Sequence, residues 1–288
     1  MANEASRTKV NIIGGGAMGI AMAYFLGIKN DVYLTVREGT LDQFSDVSVI
    51  FEGRKHRVNA LVVDHLEDAE ITIIAVKSYD LKSVLEQYNI RGKILLIQNG
   101  LSHLGLSQRE RSFYYAVTTI GARTISRGVS EITGVGYFRV GGKERLDLSF
   151  FDGSGIRAEW VDNIEAEIYR KAAINAVINP LTAIFKVENR LIVEEPNIRE
   201  ISMAATGELT VLFNKIGYKF DIWKDIVDTC TVTGRNLSST LQDITMGRRT
   251  EIDSITGEIL KMADKFDIKM PINFFLYNAV KFLEKNQR

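Results

Sequence analysis

Lys171, Asn175 and Asn179 interrupt an otherwise apolar run, Tyr169-Arg170-Lys171-Ala172-Ala173-Ile174-Asn175-Ala176-Val177-Ile178-Asn179-Pro180-Leu181-Thr182. Steps of four residues place the three in one row on one helical face. The positions beside the row, Ala172, Ile174, Val177, Ile178 and Leu181, read as core. A lysine and two amides banked by apolar surface must meet a polar cleft, because buried donors without partners are costly. A solvated stripe would normally carry Glu and Lys, not an amide pair among alanine and valine. The row therefore reads as a site. Its ammonium can deliver a proton, and its amides can both donate and accept.

A second set of residues points to a ligand with phosphates. Val10-Asn11-Ile12-Ile13 reads as a short strand, followed by Gly14-Gly15-Gly16-Ala17-Met18-Gly19 and then a helical apolar pattern through Ile20, Ala21, Met22, Tyr24 and Phe25. This is G-x-G-x-x-G between a strand and a helix, the context in which the motif carries meaning. Gly14 permits the tight turn, Gly16 lets the backbone approach a pyrophosphate, and Gly19 allows close helix–strand packing. The phosphates then meet the free N–H groups of a helix N-terminus. At the end of the next strand, Val32 to Val36, an NAD site usually offers an acid to the ribose. Here Arg37 stands there, followed by Glu38. An arginine suits a 2′-phosphate, which favours NADP; Glu38 at the ribose would instead select NAD.

The elements that must position these groups follow from the pattern. Ile71 to Val76 is a near-continuous apolar run, as a buried parallel strand should be, and it ends at Lys77. Ile94 to Ile97 ends likewise at Gln98-Asn99-Gly100. Ligands lie beyond the carboxyl ends of strands in doubly wound sheets, so Lys77 and Asn99 point towards the nucleotide or the reacting centre. After Tyr114–Thr119, β-runs at 128–132, 136–140, 146–151 and 157–161 predict antiparallel strands added to the same sheet. From Asp162 the pattern becomes helical, so we expect one domain over 1–161 and a second over 162–288. Stripes at Ile198, Ile201, Ala205, Leu209, Leu212 and Ile216, at Ile252, Ile255, Ile259, Met262 and Phe266, and at Ile272, Phe275, Ala279 and Phe282 read as core. Ser239 with Gln242 matches a capping box, with a helix cap expected from Ser238 or Ser239, and Glu251 could favour the start of the helix after it.

At 288 residues and 45% apolar content the chain has room for two such domains. Thirty-six basic residues balance 36 acidic ones, giving no global field to recruit nucleic acid or anionic membrane. The single cysteine, Cys230, excludes an internal disulfide and a cysteine-based zinc site. His56, His65 and His103 have no metal-ligand spacing, so no metal is expected. The first eight residues carry no apolar h-region, and no window reaches the roughly 18 apolar residues of a membrane span. We expect a soluble cytoplasmic protein; a homodimer is compatible with everything in the sequence.

Taken together, these residues resemble the ketopantoate reductase (2-dehydropantoate 2-reductase) family over nearly the whole chain. The matching signatures are the 14–19 glycine loop, Val76-Lys77, Gln98-Asn99-Gly100, and Lys171-x3-Asn175-x3-Asn179-Pro180-Leu181-Thr182-Ala183. Asn236-x2-Ser239-x2-Gln242-Asp243 and Arg249-Thr250-Glu251-Ile252-Asp253 with Gly257 complete the set. The resemblance implies an α/β Rossmann-type N-terminal domain plus an all-α C-terminal domain like that of 6-phosphogluconate dehydrogenase. It implies NADPH-dependent reduction of ketopantoate to (R)-pantoate in pantothenate and coenzyme A biosynthesis, with NADH as the alternative cofactor. Lys171 would be the general acid, with Asn175, Asn179, Asn189 and Ser239 as substrate contacts. Asn99 would touch cofactor and substrate, while Arg37, Lys77, Ala122 and Glu251 would help hold the cofactor with the 14–19 loop. Paired amides suit a substrate with a carbonyl and a hydroxyl, and Ser239 at a helix start suits its carboxylate. The rival readings are a related dehydrogenase of another 2-keto or hydroxy acid and a non-catalytic dinucleotide sensor. A sensor would keep the glycine loop but needs no row of Lys171, Asn175 and Asn179.

Overall fold

The computed structural model describes residues 7–104, 106 and 113–286, so most of the polar N-terminal stretch lies outside the described residues. The chain divides into two compact units: one extends to Gln98 and resumes from Leu106 to Ile164, the other joins residues 99–104 to the chain from Glu165 onward.

The first unit contains β1 (Lys9–Ile13), α1 (Ala17–Leu26), β2 (Asp31–Thr35), β3 (Ser48–Phe51), β4 (Arg54–Arg57), β5 (Leu61–Val63) and β6 (Ile71–Ile74). It continues with α2 (Leu81–Gln87), β7 (Lys93–Leu96), β8 (Phe113–Thr118), β9 (Gly121–Ser126), β10 (Val129–Gly134), β11 (Tyr137–Gly142) and β12 (Arg157–Trp160). The main sheet has eight strands in the order β12-β11-β8-β7-β6-β1-β2-β5. It is parallel from β5 through β8. After β1 the chain moves outward to β2 and β5, then returns to place β6 on the other side of β1. The strand order therefore reverses between β1 and β6, the switch point where such sheets bind ligands. Apolar strands suit this sheet because both faces are covered. Ile73 and Leu95 join the core beneath α1, while Ile74, Ile94 and Leu96 join the one beneath α2, the alternation expected of a pleated strand.

The later β-runs do not all extend this sheet. β9 and β10 pair with β3 and β4 in a second sheet of four strands, ordered β4-β3-β10-β9, whose Val49 and Ile132 pack into the α1-side core. Only β11 adds antiparallel to β8, and β12 lies parallel to β11. The predicted strand at 146–151 is a 3₁₀ turn at Ser149–Phe151, where Ser149 N–H and Oγ bind the Asp147 carboxylate. Alternation reveals that a strand exists but not which sheet it joins.

The second unit is helical: α3 (Ile164–Phe185), α4 (Leu191–Glu194), α5 (Pro196–Lys215), α6 (Ile222–Val232), α7 (Ser239–Thr245), a π-helical turn at Asp253–Gly257, α8 (Glu258–Lys265) and α9 (Pro271–Lys285). Buried Ala172, Ala173, Ala176, Val177, Ile178 and Leu181 seat α3, and Arg170 grips buried Asp225 of α6 with two nitrogens. The α5 stripe is inward at Ile198, Ala205, Leu209 and Leu212. The stripe on α9 is not: Phe275 and Phe282 are 63% and 65% exposed, and Asn273, Leu276 and Val280 face inward instead. The cause is polar. Glu208 of α5 accepts the N–H groups of Ile272 and Asn273 at 2.8 and 3.0 Å, and the fully buried Asn273 amide donates to Ala205 O and Glu208 Oε2. These bonds at its first turn set the rotation of α9. Phe266, expected inside at the end of α8, is also exposed. Among the described residues, no helix is long and apolar enough to cross a membrane.

Candidate active site

In the first unit the glycine loop leaves β1 at the switch point. Gly14 has φ +123°, and its N–H donates to Thr35 O at the end of β2 across 2.9 Å. A Cβ on Gly14 would lie 3.1 Å from the Ala75 and Val76 backbone, just past β6. One on Gly19 would meet Gly14 O at 1.8 Å, the close packing that the sequence pattern implies. Gly16, the N-cap of α1, makes no side-chain cap, and a Cβ on it would find nothing within 4 Å. Open space above Gly16 and uncapped N–H groups through Ala17 and Met18 fit a pyrophosphate. Arg37 and Glu38 are both exposed just beyond β2, and Thr40 turns the chain by donating to Arg37 O. Lys77, half-buried, leads into a 3₁₀ turn after β6. The Gln98 amide donates to Ile74 O and Val76 O at 2.7 and 3.1 Å, fixing the strand end that precedes Lys77. Ala122 lies in β9 opposite Ile132 and packs against the α1-side core.

In the second unit α3 carries the polar row, with Lys171 and Asn175 half-buried and Asn179 only 5% exposed. Burial draws the Lys171 ammonium down from 10.5 to about 8, against the pull of the Glu251 carboxylate. Asn99 Nδ2 donates to Glu251 Oε2 at 3.1 Å. Leu101 N–H donates to Ser254 O at 2.8 Å, and Gly100, at φ +87°, comes so close that a Cβ would lie 2.3 Å from that oxygen. The 99–104 segment is thus fastened to the π-helical turn and the residues before it. Such turns recur at functional sites.

That segment also brings in a residue the sequence did not single out. His103 is 1% exposed, and burial holds its imidazole down at about 4, with Glu251 raising and Lys171 lowering it. It is neutral near pH 7 and shares the electrostatic environment of Lys171 and Glu251. No spacing pattern could have revealed it.

Thr250 and Asp253, which flank Glu251, are held from α9. Glu284 accepts from Thr250 N and Oγ1 at 2.8 and 2.7 Å, while Tyr277 Oη and Lys281 Nζ donate to Asp253 at 2.8 and 3.0 Å. Arg249 donates to the same aspartate at 3.2 Å.

Near the other end of the row, Asn189 is buried, with its amide donating to Thr233 Oγ1 at 2.9 Å and its N–H to Asn236 O at 3.0 Å. Its Oδ1 has no hydrogen-bond partner among the described residues, an acceptor that a ligand hydroxyl would satisfy. Ser239 is exposed at the start of α7. The expected Ser239–Gln242 capping box does not form: Ser238 Oγ caps the helix through Leu241 N at 3.1 Å, and Gln242 donates to Leu237 O. Thr182 Oγ1 lies 2.6 Å from Ser238 Oγ, tying the turn after Asn179 to the start of α7.

Cys230 is buried and its thiol is pushed up to about 12, chiefly by burial, which leaves it inert at neutral pH. Among the described residues no group of three His, Cys, Asp or Glu side chains could hold a metal ion.

The switch-point glycine loop and the helical unit define a class, the Rossmann-type dinucleotide-binding proteins with an all-helical second domain. Comparison narrows it. Residues 10–144 match the model "Ketopantoate reductase PanE/ApbA", and 163–284 match "Ketopantoate reductase PanE/ApbA C terminal". The chain is 31% identical over 287 residues to the 2-dehydropantoate 2-reductase of Archaeoglobus fulgidus, covering 96% of this chain and 98% of that one. A crystal structure of a probable 2-dehydropantoate 2-reductase from Bacillus subtilis aligns at TM-score 0.82 and 26% identity, covering 96% of this chain and 99% of that one. A ternary structure of D-mandelate dehydrogenase with NADH and anilino(oxo)acetate aligns at TM-score 0.86 and 23% identity, covering 97% and 99%, a likeness of fold. This chain belongs to the ketopantoate reductase family.

Proposed function

We propose that this chain reduces 2-dehydropantoate to (R)-pantoate with NADPH, in the cytoplasm and on the route to coenzyme A, and that Lys171 supplies the proton. The observation that carries this reading is a half-buried lysine, poised at about 8, in the electrostatic reach of Glu251 and in line with two asparagines. A nicotinamide held beyond the 14–19 loop would supply the hydride for the carbonyl carbon. Lys171 stabilises the negative charge that gathers on the carbonyl oxygen and delivers a proton to it, a role worth about 10²–10⁴-fold in rate. A lysine near 8 is still largely protonated at neutral pH yet gives its proton up more readily than an ordinary one.

The other residues bind and orient. Asn175 and Asn179 can each donate to and accept from a substrate hydroxyl, and the Asn189 Oδ1 acceptor adds to them. Ser239 and the N–H groups at the start of α7 suit the substrate carboxylate. Asn99, fixed against Glu251, can serve cofactor and substrate. The loop from Gly14 to Gly19, with Arg37, Lys77, Ala122 and Glu251, would hold the dinucleotide. Arg37 supports the choice of NADPH over NADH.

Steady-state oxidation of NADPH and of NADH by the purified chain, with ketopantoate, pyruvate and the keto acid of mandelate, tests the reading. Ketopantoate should be strongly preferred to pyruvate, because a site built to bind a hydroxyl rejects analogues that lack it. Equal kcat/KM values for the three acids would refute the substrate assignment.

A further inference from the structure

We propose that Arg127 is a second guanidinium for the 2′-phosphate of NADPH, acting with Arg37. The inference rests on the NADPH reading above and extends it to a residue at the tip of a hairpin.

Arg127 and Gly128 form the two-residue turn between β9 and β10. Gly128 has φ +75°, which such a turn favours. The tip is packed onto the turn that follows β2. Ser48 N–H donates to Gly128 O at 3.0 Å, and a Cβ on Gly128 would lie 3.4 Å from Gln43 O and 3.9 Å from Phe44 Cα. The Arg127 guanidinium thereby sits over the Phe44 ring, 5.1 Å from its centroid. Phe44 is itself buried against the phosphate loop: a Cβ on Gly15 would come within 2.6 Å of the ring and 3.0 Å of Val36 Cγ1. Val36 is the residue immediately before Arg37. Gly15, Val36, Phe44 and Arg127 are thus in continuous contact where β2 ends, and dinucleotide folds bring the adenosine ribose to that strand end.

The local charges leave Arg127 available. Asp46 pairs with Lys55 at 2.9 Å, and Glu131 pairs with Arg123. Among the described residues no carboxylate pairs with Arg127. The attraction between the guanidinium and the ring face uses none of its N–H donors, so Phe44 holds Arg127 at this position without consuming the fork. The fork suits a phosphate, whose oxygens can take two parallel bonds.

Calorimetric titration of wild type, Arg127→Ala and Arg127→Lys with NADPH and with NADH is the test, with 2′,5′-ADP and 5′-AMP as competitors that differ in the 2′-phosphate alone. Arg37→Ala is the reference variant. Arg127→Ala should weaken NADPH and 2′,5′-ADP by about tenfold or more while NADH and 5′-AMP change less than about twofold, as expected for one lost charge-assisted contact. Arg127→Lys should fall between the two. If Arg127→Ala keeps the wild-type ratio of NADPH to NADH affinity, whether nothing changes or both weaken together because the Phe44 turn has loosened, the proposal is wrong. A wild type that binds both cofactors equally would overturn the NADPH reading before any substitution is made, and the role of Arg127 with it.

Discussion

Asn99 Nδ2 donates to Glu251 Oε2 across 3.1 Å, joining two points 152 residues apart in the chain. The bond fixes one oxygen of a buried carboxylate whose charge acts on both Lys171 and His103. The 99–104 segment and the residues leading into the π-helical turn are set against each other by this side-chain contact. The Leu101–Ser254 backbone bond holds the same pair of segments in register.

The pH dependence follows from this arrangement. Lys171 near 8 must be protonated to act as an acid, so kcat/KM for reduction should be flat below about 8 and fall above it. Pantoate oxidation needs the neutral amine and should rise through the same pH. Glu251 raises the lysine, so Glu251→Gln should move both limbs to lower pH. A limb that stays in place or moves upward in that variant would show that Glu251 does not set the protonation of Lys171.

The grip of α9 on the 250–253 loop makes a separate prediction. Glu284→Ala removes the acceptor for Thr250 N and Oγ1, which should cost about 1.5–3 kcal/mol of stability. Because Glu251 lies next to Thr250, the pH limb should shift downward as well. Glu284→Gln keeps an acceptor oxygen and should restore the limb. Chemical denaturation and pH–rate profiles on the same preparations check both parts, and a shift in stability with an unmoved limb would limit Glu284 to a structural role.

The glycine loop separates folding from binding. Gly16 has open space around it and φ −82°, so Gly16→Val should keep its melting temperature and lose dinucleotide affinity. Gly19→Val should behave in the opposite order, failing to fold stably, because even a Cβ would meet Gly14 O at 1.8 Å. Thermal melts with and without NADPH distinguish the two. A Gly16→Val variant with wild-type affinity would remove the pyrophosphate from this position.

Much of this was legible in the chain because periodicity reports local facts. The apolar runs at 71–76 and 94–97 read as buried parallel strands, and the three polar residues at four-residue steps on α3 read as one face. What escaped depends on contacts between distant segments. β10 was recognisable as a strand, but β9 was not, and neither was the pairing of β10 with β3. The α9 stripe failed because buried Asn273 and Glu208 outweigh the phenylalanines in setting its rotation. A cap from Ser238 or Ser239 was expected, and Ser238 makes it; which of two adjacent serines does so is a shift that periodicity does not resolve. His103, Tyr277, Lys281 and Glu284 have roles that arise only where the 99–104, 250–257 and α9 segments meet.

The most direct test of the central claim compares wild type with Lys171→Ala in ketopantoate reduction, followed by the loss of NADPH absorbance. An interaction that strengthens as charge develops lowers kcat and not merely KM. Lys171→Ala should therefore lose about 10²-fold or more in kcat while its melting temperature and NADPH affinity stay near wild type. A variant that keeps its kcat, or loses activity only in proportion to a lowered melting temperature, would contradict the assignment of Lys171 as the proton donor.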